Sequence, residues 1–293
     1  MVGKKHKVVA LFCALAGMAA VPARLNADSI NGTGGGWQNW SASNLYEGSN
    51  PTPGTPYWNN FSGDGPQGNI GWCLTGGGPT CNLGTTYGTL PYYGTASGGA
   101  VSSVYFSGSG SPMTVTVAGI TTNEKTASQY DTFGYYVVPA SGSPTLIPLF
   151  NTLTATVGSS ATLSLAAGTN YGFYIENVQG GDTGTNYYFL MNGGNYTTYD
   201  GSALSSSYTD TLQHFAVFQT TTGYLIGDVD GVACNGTTLV AGSSPCELTS
   251  QFDYNDFTVT LAPSAPEPAT AGLMAVSLLF LGLAIRRKFR PAA

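Results

Sequence analysis

The central part of this chain has almost no positive charge. Of its nine lysines and arginines, four lie at or before Arg24 and four at or after Arg286, so Lys125 is the only base between these ends. Fourteen of the fifteen acidic residues lie in the same middle part, and against one lysine they give it a formal charge of −13. Phosphate binding needs clustered cations, so nucleic acid is excluded as a partner. These acids must be solvated or balanced by metal cations.

The sequence also lacks the common motifs of hydrolases and nucleotide-binding proteins. It contains no G-x-S-x-G, no H-E-x-x-H and no G-x-x-x-x-G-K. His214 begins an apolar run and is interpreted as a hydrogen-bonded structural residue. Glu176 could serve a glycosidase if a second acid faced it, but a half-exposed strand residue is the simpler interpretation. We therefore predict no catalytic residues and no enzymatic activity.

No strong helical period exists between the two ends of the chain, and short β-type runs recur instead. These runs predict an all-β fold, an antiparallel β-sandwich of jelly-roll type over residues 99–262. Residues 28–98, rich in glycine and tryptophan, predict a loop-rich section packed on that sandwich. The expected strands are Ala100–Phe106, Met113–Ala118, Phe133–Pro139, Leu153–Val157, Ala161–Ala166, Tyr171–Asn177, Tyr187–Met191, His214–Gln219, Tyr224–Gly227 and Phe257–Leu261.

The N-terminus has the pattern of a secretory signal peptide. Lys4, Lys5 and Lys7 precede a short apolar run, and small residues follow it at Ala23 and Ala27. The apolar run is too short to span a membrane and remain there. We expect residues 1–27 to direct export through the Sec machinery, with cleavage after either Ala23 or Ala27.

The C-terminus, residues 263–293, combines three features in a fixed order. Pro266, Glu267 and Pro268 come first, an uncharged stretch from Ala269 to Ile285 follows, and the basic residues Arg286, Arg287, Lys288 and Arg290 come last. Seventeen helical residues rise about 25 Å, at the short end of a membrane span. The basic cluster predicts a cytoplasmic end, so the preceding chain faces outward.

This three-part tail resembles the PEP-CTERM sorting signal of Gram-negative bacteria. The resemblance implies that an exosortase, a membrane protease, cuts near the tripeptide and that the protein is linked to exopolysaccharide production. It also implies a place at the cell envelope surface or in the extracellular matrix, with only transient membrane anchoring. A plain C-terminal anchor is the alternative.

Four cysteines remain after removal of the signal peptide, which contains Cys13. An even number in an oxidising compartment predicts disulfides. Three connectivities are possible, and the local one is favoured because it closes two short loops. Its pairs are Cys73–Cys81 and Cys234–Cys246.

Acidic residues cluster late in the middle part. Asp228 and Asp230 form one group, and Asp253, Asn255 and Asp256 form another just before the last expected strand. Calcium is bound by six to eight oxygens of such residues. The stretch from His214 to Asp256 resembles the end of a calcium-associated β-rich domain of secreted bacterial proteins. Turn formation by Asp and Asn is the alternative.

These observations predict an exported surface or matrix protein, stabilised by calcium, whose role is structural. The alternative is a lectin-like module that binds extracellular polysaccharide, because abundant tyrosine and tryptophan can stack on sugar rings. An extracellular glycoside hydrolase is a third, weaker possibility.

Overall fold

The computed structural model describes residues 27–45, 55–59, 68–77, 83–120, 129–179, 185–193, 195–199, 204–207, 213–229 and 254–264. Residues 27–263 form one compact unit. The signal peptide before Ala27, the Pro-Glu-Pro tripeptide, the expected membrane helix over 269–285 and the basic cluster lie outside the described residues. Within the described ranges, no helix is long and apolar enough to cross a membrane.

The fold is all-β, as predicted, with two sheets in which every strand pair is antiparallel. Sheet A contains β1 Ser29–Gly32, β4 Val104–Ser107, β6 Gln129–Val137, β7 Leu146–Asn151, β9 Asn170–Gln179, β10 Thr185–Leu190, β11 Asn195–Tyr199 and β12 Leu204–Ser207. Sheet B contains β2 Gly36–Gln38, β3 Tyr92–Gly94, β5 Met113–Ile120, β8 Ser160–Leu163, β13 Phe215–Gln219, β14 Tyr224–Asp228 and β15 Phe257–Pro263.

Strand order differs from chain order in both sheets. Sheet A runs β1-β4-β9-β10-β11-β12, with β6 also paired to β9 and β7 paired to β6. Sheet B runs β2-β3-β13-β14-β15-β5-β8. The loop-rich section therefore supplies β1 to sheet A and the β2–β3 pair to sheet B.

The prediction of a strand over Leu153–Val157 was wrong. This segment forms turns in which Leu153 is 43% and Val157 49% exposed, while Ala155 between them is buried. The strand lies earlier, at β7, and contains Pro148, a residue type that is uncommon inside strands. Proline is tolerated there because β7 pairs with β6 alone, so one of its edges needs no ladder hydrogen bond. Asn151 then starts the turn, since its Oδ1 accepts a hydrogen bond from Leu153 N at 2.8 Å.

Both sheets contribute alternate side chains to one apolar core. In β5, Met113, Val115 and Val117 are buried while the residues between them are half-exposed. The ring of Phe133 on sheet A stacks on that of Phe257 on sheet B, with centroids 5.3 Å apart. The two sheets therefore face each other across a shared interior.

The other face of sheet B is covered as well, by the loop-rich section. Leu45, Trp58, Ile70 and Leu74 pack with side chains of the central strands β13 and β14. Burial on both faces explains why β14 is buried at every residue instead of alternating. The covering section includes the 3₁₀ turn Ala42–Asn44 and the short helix α1, Ile70–Thr75.

Helix α1 has a local cap at each end. The Oδ1 atom of Asn69 accepts a hydrogen bond from Gly71 N at 3.0 Å, which satisfies an unpaired amide of the first turn. Gly76 ends the helix with a left-handed φ of 77°. These caps hold Cys73 in α1 against sheet B.

Candidate functional site

The acidic group at the end of β14 is partly described. Asp228 is the last residue of β14 and is fully buried. Its Oδ1 accepts a hydrogen bond from Phe257 N at 3.2 Å, and its backbone carbonyl accepts one from Asp256 N at 3.2 Å. The start of β15 is thus attached directly to the end of β14, which brings two of the predicted calcium ligands, Asp228 and Asp256, onto adjacent backbone.

Asn255 has a different role in the structure. Its Nδ2 donates to the carbonyl of Gly68 and approaches Cys73 Sγ at 3.8 Å. The preceding residue, Tyr254, has a left-handed φ of 57° and donates its hydroxyl to Gln213 O at 2.6 Å. The segment therefore turns at Tyr254, and the side-chain alternation of an extended strand does not hold there. Asn255 joins β15 to the loop-rich section.

Calcium binding at this place stays a prediction. Asp230 and Asp253 lie outside the described residues. Among the residues the structure does describe, no group of three or more His, Cys, Asp or Glu side chains could hold a metal ion. Asp228 and Asp256 have the carboxylate oxygens that calcium prefers, and the Asn255 amide donates through Nδ2 to the carbonyl of Gly68.

Cys73 is disulfide-bonded. The three other cysteines of the mature chain, Cys81, Cys234 and Cys246, lie outside the described residues, so the local pairing stays a prediction. His214 is buried, as the sequence analysis expects of a structural histidine. Its Nδ1 is 2.9 Å from Val229 O, and its ring stacks on Phe189 with centroids 3.9 Å apart.

Several tyrosines and one tryptophan of the described chain build the interior. Trp58 is fully buried among Trp40, Tyr92 and Phe218. The tyrosines that are also buried are Tyr92, Tyr93, Tyr136, Tyr171, Tyr174, Tyr188, Tyr224 and Tyr254. Apart from Tyr174 and Tyr188, which line a groove, these buried rings are unavailable for stacking on a sugar, so this part of the argument for a lectin-like surface does not hold for them.

A groove of about 740 Å³ lies along sheet A and the turn after β7. Its floor is the small apolar cluster of Leu146, Tyr174 and Tyr188, which is separate from the core between the sheets. The polar side chains along it carry hydroxyl, amide and carboxylate groups. They are Thr132, Asn151, Thr154, Ser159, Ser160, Glu176, Tyr174 and Tyr188.

Glu176 is the one carboxylate that lines this groove among the described residues. Its Oε1 accepts hydrogen bonds from Asn186 Nδ2 and Tyr188 Oη, both at 2.8 Å. Tyr188 lies directly opposite Glu176 in the β9–β10 ladder, so the register fixes this contact. The carboxylate is therefore held in one orientation by two neutral donors, and it can accept further hydrogen bonds from a ligand.

Sequence reasoning treated Glu176 as an ordinary strand residue. The sequence contains one signal. Tyr174 and Glu176 are two residues apart on β9, and Asn186 and Tyr188 are two residues apart on β10, so the members of each pair lie on one face of the sheet. That pattern does not reveal which other strands line the groove. The strand β7 and its turn reach it through β6, which pairs with β9 although the two strands are distant in the chain. No protein-family model, no curated protein and no solved structure matches this chain.

Proposed function

We propose that this is an exported surface or extracellular-matrix protein, sorted by an exosortase and built on a jelly-roll-like sandwich. The sequence of the two ends supports export and sorting. The two-sheet architecture with sequence-distant neighbours, such as β4 beside β9 and β5 beside β15, supports the sandwich. Mass spectrometry of the product from the producing cells tests the sorting: a C-terminus near Pro266–Pro268 is expected, and an intact basic tail contradicts it.

Polysaccharide binding is the activity that the groove supports best. The observation that carries this proposal is the held carboxylate of Glu176 beside a row of hydroxyl and amide side chains over an apolar floor. Sugar hydroxyls donate to carboxylates and exchange hydrogen bonds with Thr, Ser and Asn, while the apolar edge of a sugar ring fits an apolar floor.

The ligand class is a neutral polysaccharide. Glu176 places a negative charge in the groove, and the middle part of the chain has a formal charge of −13. A polyuronate chain has the same sign of charge as Glu176 and as the middle part as a whole, which opposes its approach. A neutral chain carries no such penalty.

Binding fits this groove better than hydrolysis does. Glycoside hydrolases use a pair of carboxylates about 5–10 Å apart. The described lining contains one, Glu176, whose Oε1 is already committed to Asn186 and Tyr188. The same binding experiment separates the two functions, because release of reducing ends from the bound polysaccharide would identify a hydrolase.

The binding test uses the processed protein with a neutral glucan and a polyuronate. We expect retention on the glucan alone. Glu176→Gln removes the charge and one acceptor, and loss of a charge-assisted hydrogen bond of about 1.5 kcal/mol weakens binding about tenfold.

Two exposed threonines provide a matched pair for the same assay. Thr154→Ala removes a hydroxyl from the groove, whereas Thr222→Ala removes one from the turn between β13 and β14. Weaker binding in the first variant and unchanged binding in the second is expected. Equal binding by wild type, Glu176→Gln and Thr154→Ala would contradict the assignment of the groove.

Calcium stabilisation is a second, separate proposal. Asp228 and Asp256 supply carboxylates where β14 and β15 meet, and Asp230 and Asp253 are close to them in the chain. An ion held there would tie the two strand ends together and offset their negative charge. Calcium should raise the melting temperature of the processed protein, and chelator should lower it. Identical melting curves with calcium and with chelator would remove the proposal.

A further inference from the structure

The fold begins at Asp28, which is buried although it stands at the edge of the described chain. Ala27 is exposed, whereas Asp28 is 2% exposed. The next residue, Ser29, starts β1 and pairs with Ser107 of β4. At the start of the described chain, exposure therefore changes to burial across the Ala27–Asp28 bond.

Asp28 makes hydrogen bonds to three separate parts of the fold. Its Oδ1 accepts from Ser109 N at 2.6 Å, in the turn between β4 and β5. Its Oδ2 accepts from Tyr171 Oη of sheet A at 2.7 Å, and its carbonyl accepts from Tyr224 Oη of sheet B at 2.6 Å. One residue at the start of the fold thus joins both sheets.

The two donors that hold this carboxylate, the backbone amide of Ser109 and the hydroxyl of Tyr171, are neutral. A buried carboxylate is costly unless charge or hydrogen bonds compensate it. No residue in the described ranges is a lysine or an arginine. The negative charge contributes, after burial, to raising the pKa of Tyr171 far above its ordinary value. A cation next to Asp28 would therefore stabilise the fold.

We propose that the signal peptide is removed between Ala27 and Asp28, and that the new α-ammonium group of Asp28 is the countercharge of its own buried carboxylate. In this hydrolysis a signal peptidase breaks the Ala27–Asp28 C–N bond. Water supplies the oxygen of the new Ala27 carboxylate, and its two protons complete the ammonium group on the released Asp28 nitrogen. The amine, with an ordinary pKa of about 8, is charged at neutral pH.

The two possible cleavage positions differ in this respect. Cleavage after Ala27 creates the positive charge within the same residue as the buried carboxylate. Cleavage after Ala23 leaves four residues, beginning with Arg24, in front of Asp28, and the Asp28 nitrogen remains a neutral amide. Cleavage before Asp28 thus supplies the positive charge that the buried carboxylate lacks. It makes the mature form more stable than the form that begins at Arg24.

Mass spectrometry of the protein from producing cells tests the cleavage position. We expect an N-terminal peptide that begins Asp28-Ser29-Ile30. A peptide that begins at Arg24 would overturn the proposal.

Thermal unfolding tests the countercharge. Two versions of the exported chain are compared, one that begins at Asp28 and one that begins at Arg24. The first should melt at a higher temperature, and the difference should disappear when both carry Asp28→Asn. Equal melting temperatures of the two unsubstituted proteins would overturn the countercharge.

The pH dependence keeps the test informative if Asp28→Asn fails to fold. The carboxylate raises the pKa of the paired ammonium in the fold above its ordinary value of about 8, so the advantage of the form that begins at Asp28 should be full below that pH and should shrink as the pH rises above it. The titratable side chains in contact with Asp28, Tyr171 and Tyr224, keep their protons there because burial raises the pKa of both. An advantage of the same size at pH 7 and at pH 11 would contradict the proposal.

Discussion

Replacing Trp58 with alanine should destabilise the protein more than most single substitutions. Trp58 is fully buried between the loop-rich section and the outer face of sheet B. Its ring lies 4.8 Å from that of Trp40 and 5.2 Å from that of Phe218, and both contacts are edge-on. The first contact is within the loop-rich section and the second is with β13, so the substitution weakens the packing between them.

The magnitude follows from the buried area. A buried tryptophan removes up to about 250 Å² from water. At about 25 cal/mol per Å² this sets an upper limit of ~6 kcal/mol, which residual burial in the unfolded chain reduces. Measured losses for Trp→Ala in cores are about 3–5 kcal/mol. We expect a loss near 4 kcal/mol, or a fall in melting temperature of roughly 8–16 °C for a domain of this size.

Circular dichroism during heating of the processed protein measures the effect. Trp72→Ala is the matched control, because Trp72 packs against the same cluster but is half-exposed. It should lose less than half as much stability. If Trp58→Ala melts within about 2 °C of wild type, or no lower than Trp72→Ala, the loop-rich section does not depend on packing against sheet B.

Two further predictions concern the strands and the tyrosines. Gly227→Ala should destabilise the protein by about 2–3 kcal/mol, because the added Cβ would lie 2.2 Å from the carbonyl oxygen of Tyr254, a backbone atom that cannot move aside. Stability should also fall as pH rises above about 10, since unfolded tyrosines then lose protons that Tyr57 and Tyr171 retain. Burial is the main cause that raises the pKa of both.

Each of these two predictions has an internal check. Gly36→Ala is the control for Gly227→Ala, because the nearest atom to its added Cβ is 3.7 Å away and little loss is expected. Chemical denaturation at pH 9, 10 and 11 measures the alkaline effect, and each retained proton contributes about 1.4 kcal/mol per pH unit. A flat profile across this range would show that these tyrosines titrate normally in the fold.

Most strands could be predicted because their signal is local. Met113, Val115 and Val117 alternate with polar residues, and that period alone indicates a strand with one buried face. The prediction failed at Leu153–Val157, where apolar residues occupy an exposed turn, and it missed β7, where Pro148 lies on an edge strand. Whether each of these segments can form a strand depends on whether a neighbouring strand needs its backbone N–H groups for hydrogen bonds. The local sequence does not reveal this.

The candidate sites were less accessible to prediction. The groove depends on β6, β7, β9 and β10 lying side by side, and that order is not the order of the chain. At the acidic group, the adjacency of Asp228 and Asp256 could be expected, since two acidic runs flank the end of one strand and the start of another. The engagement of Asn255 with Gly68 could not, because it joins residues 187 positions apart.

The sequence by itself determined the strand period, the charge segregation and the two terminal signals, because each of these depends on the order of neighbouring residues. Only the tertiary structure decided which aromatic side chains fill the interior and which face a groove. It also decided that Asp28 meets Tyr171, 143 positions away. Such contacts arise when sheets pair and pack, since hydrophobic burial and hydrogen-bond satisfaction are properties of the whole assembled core.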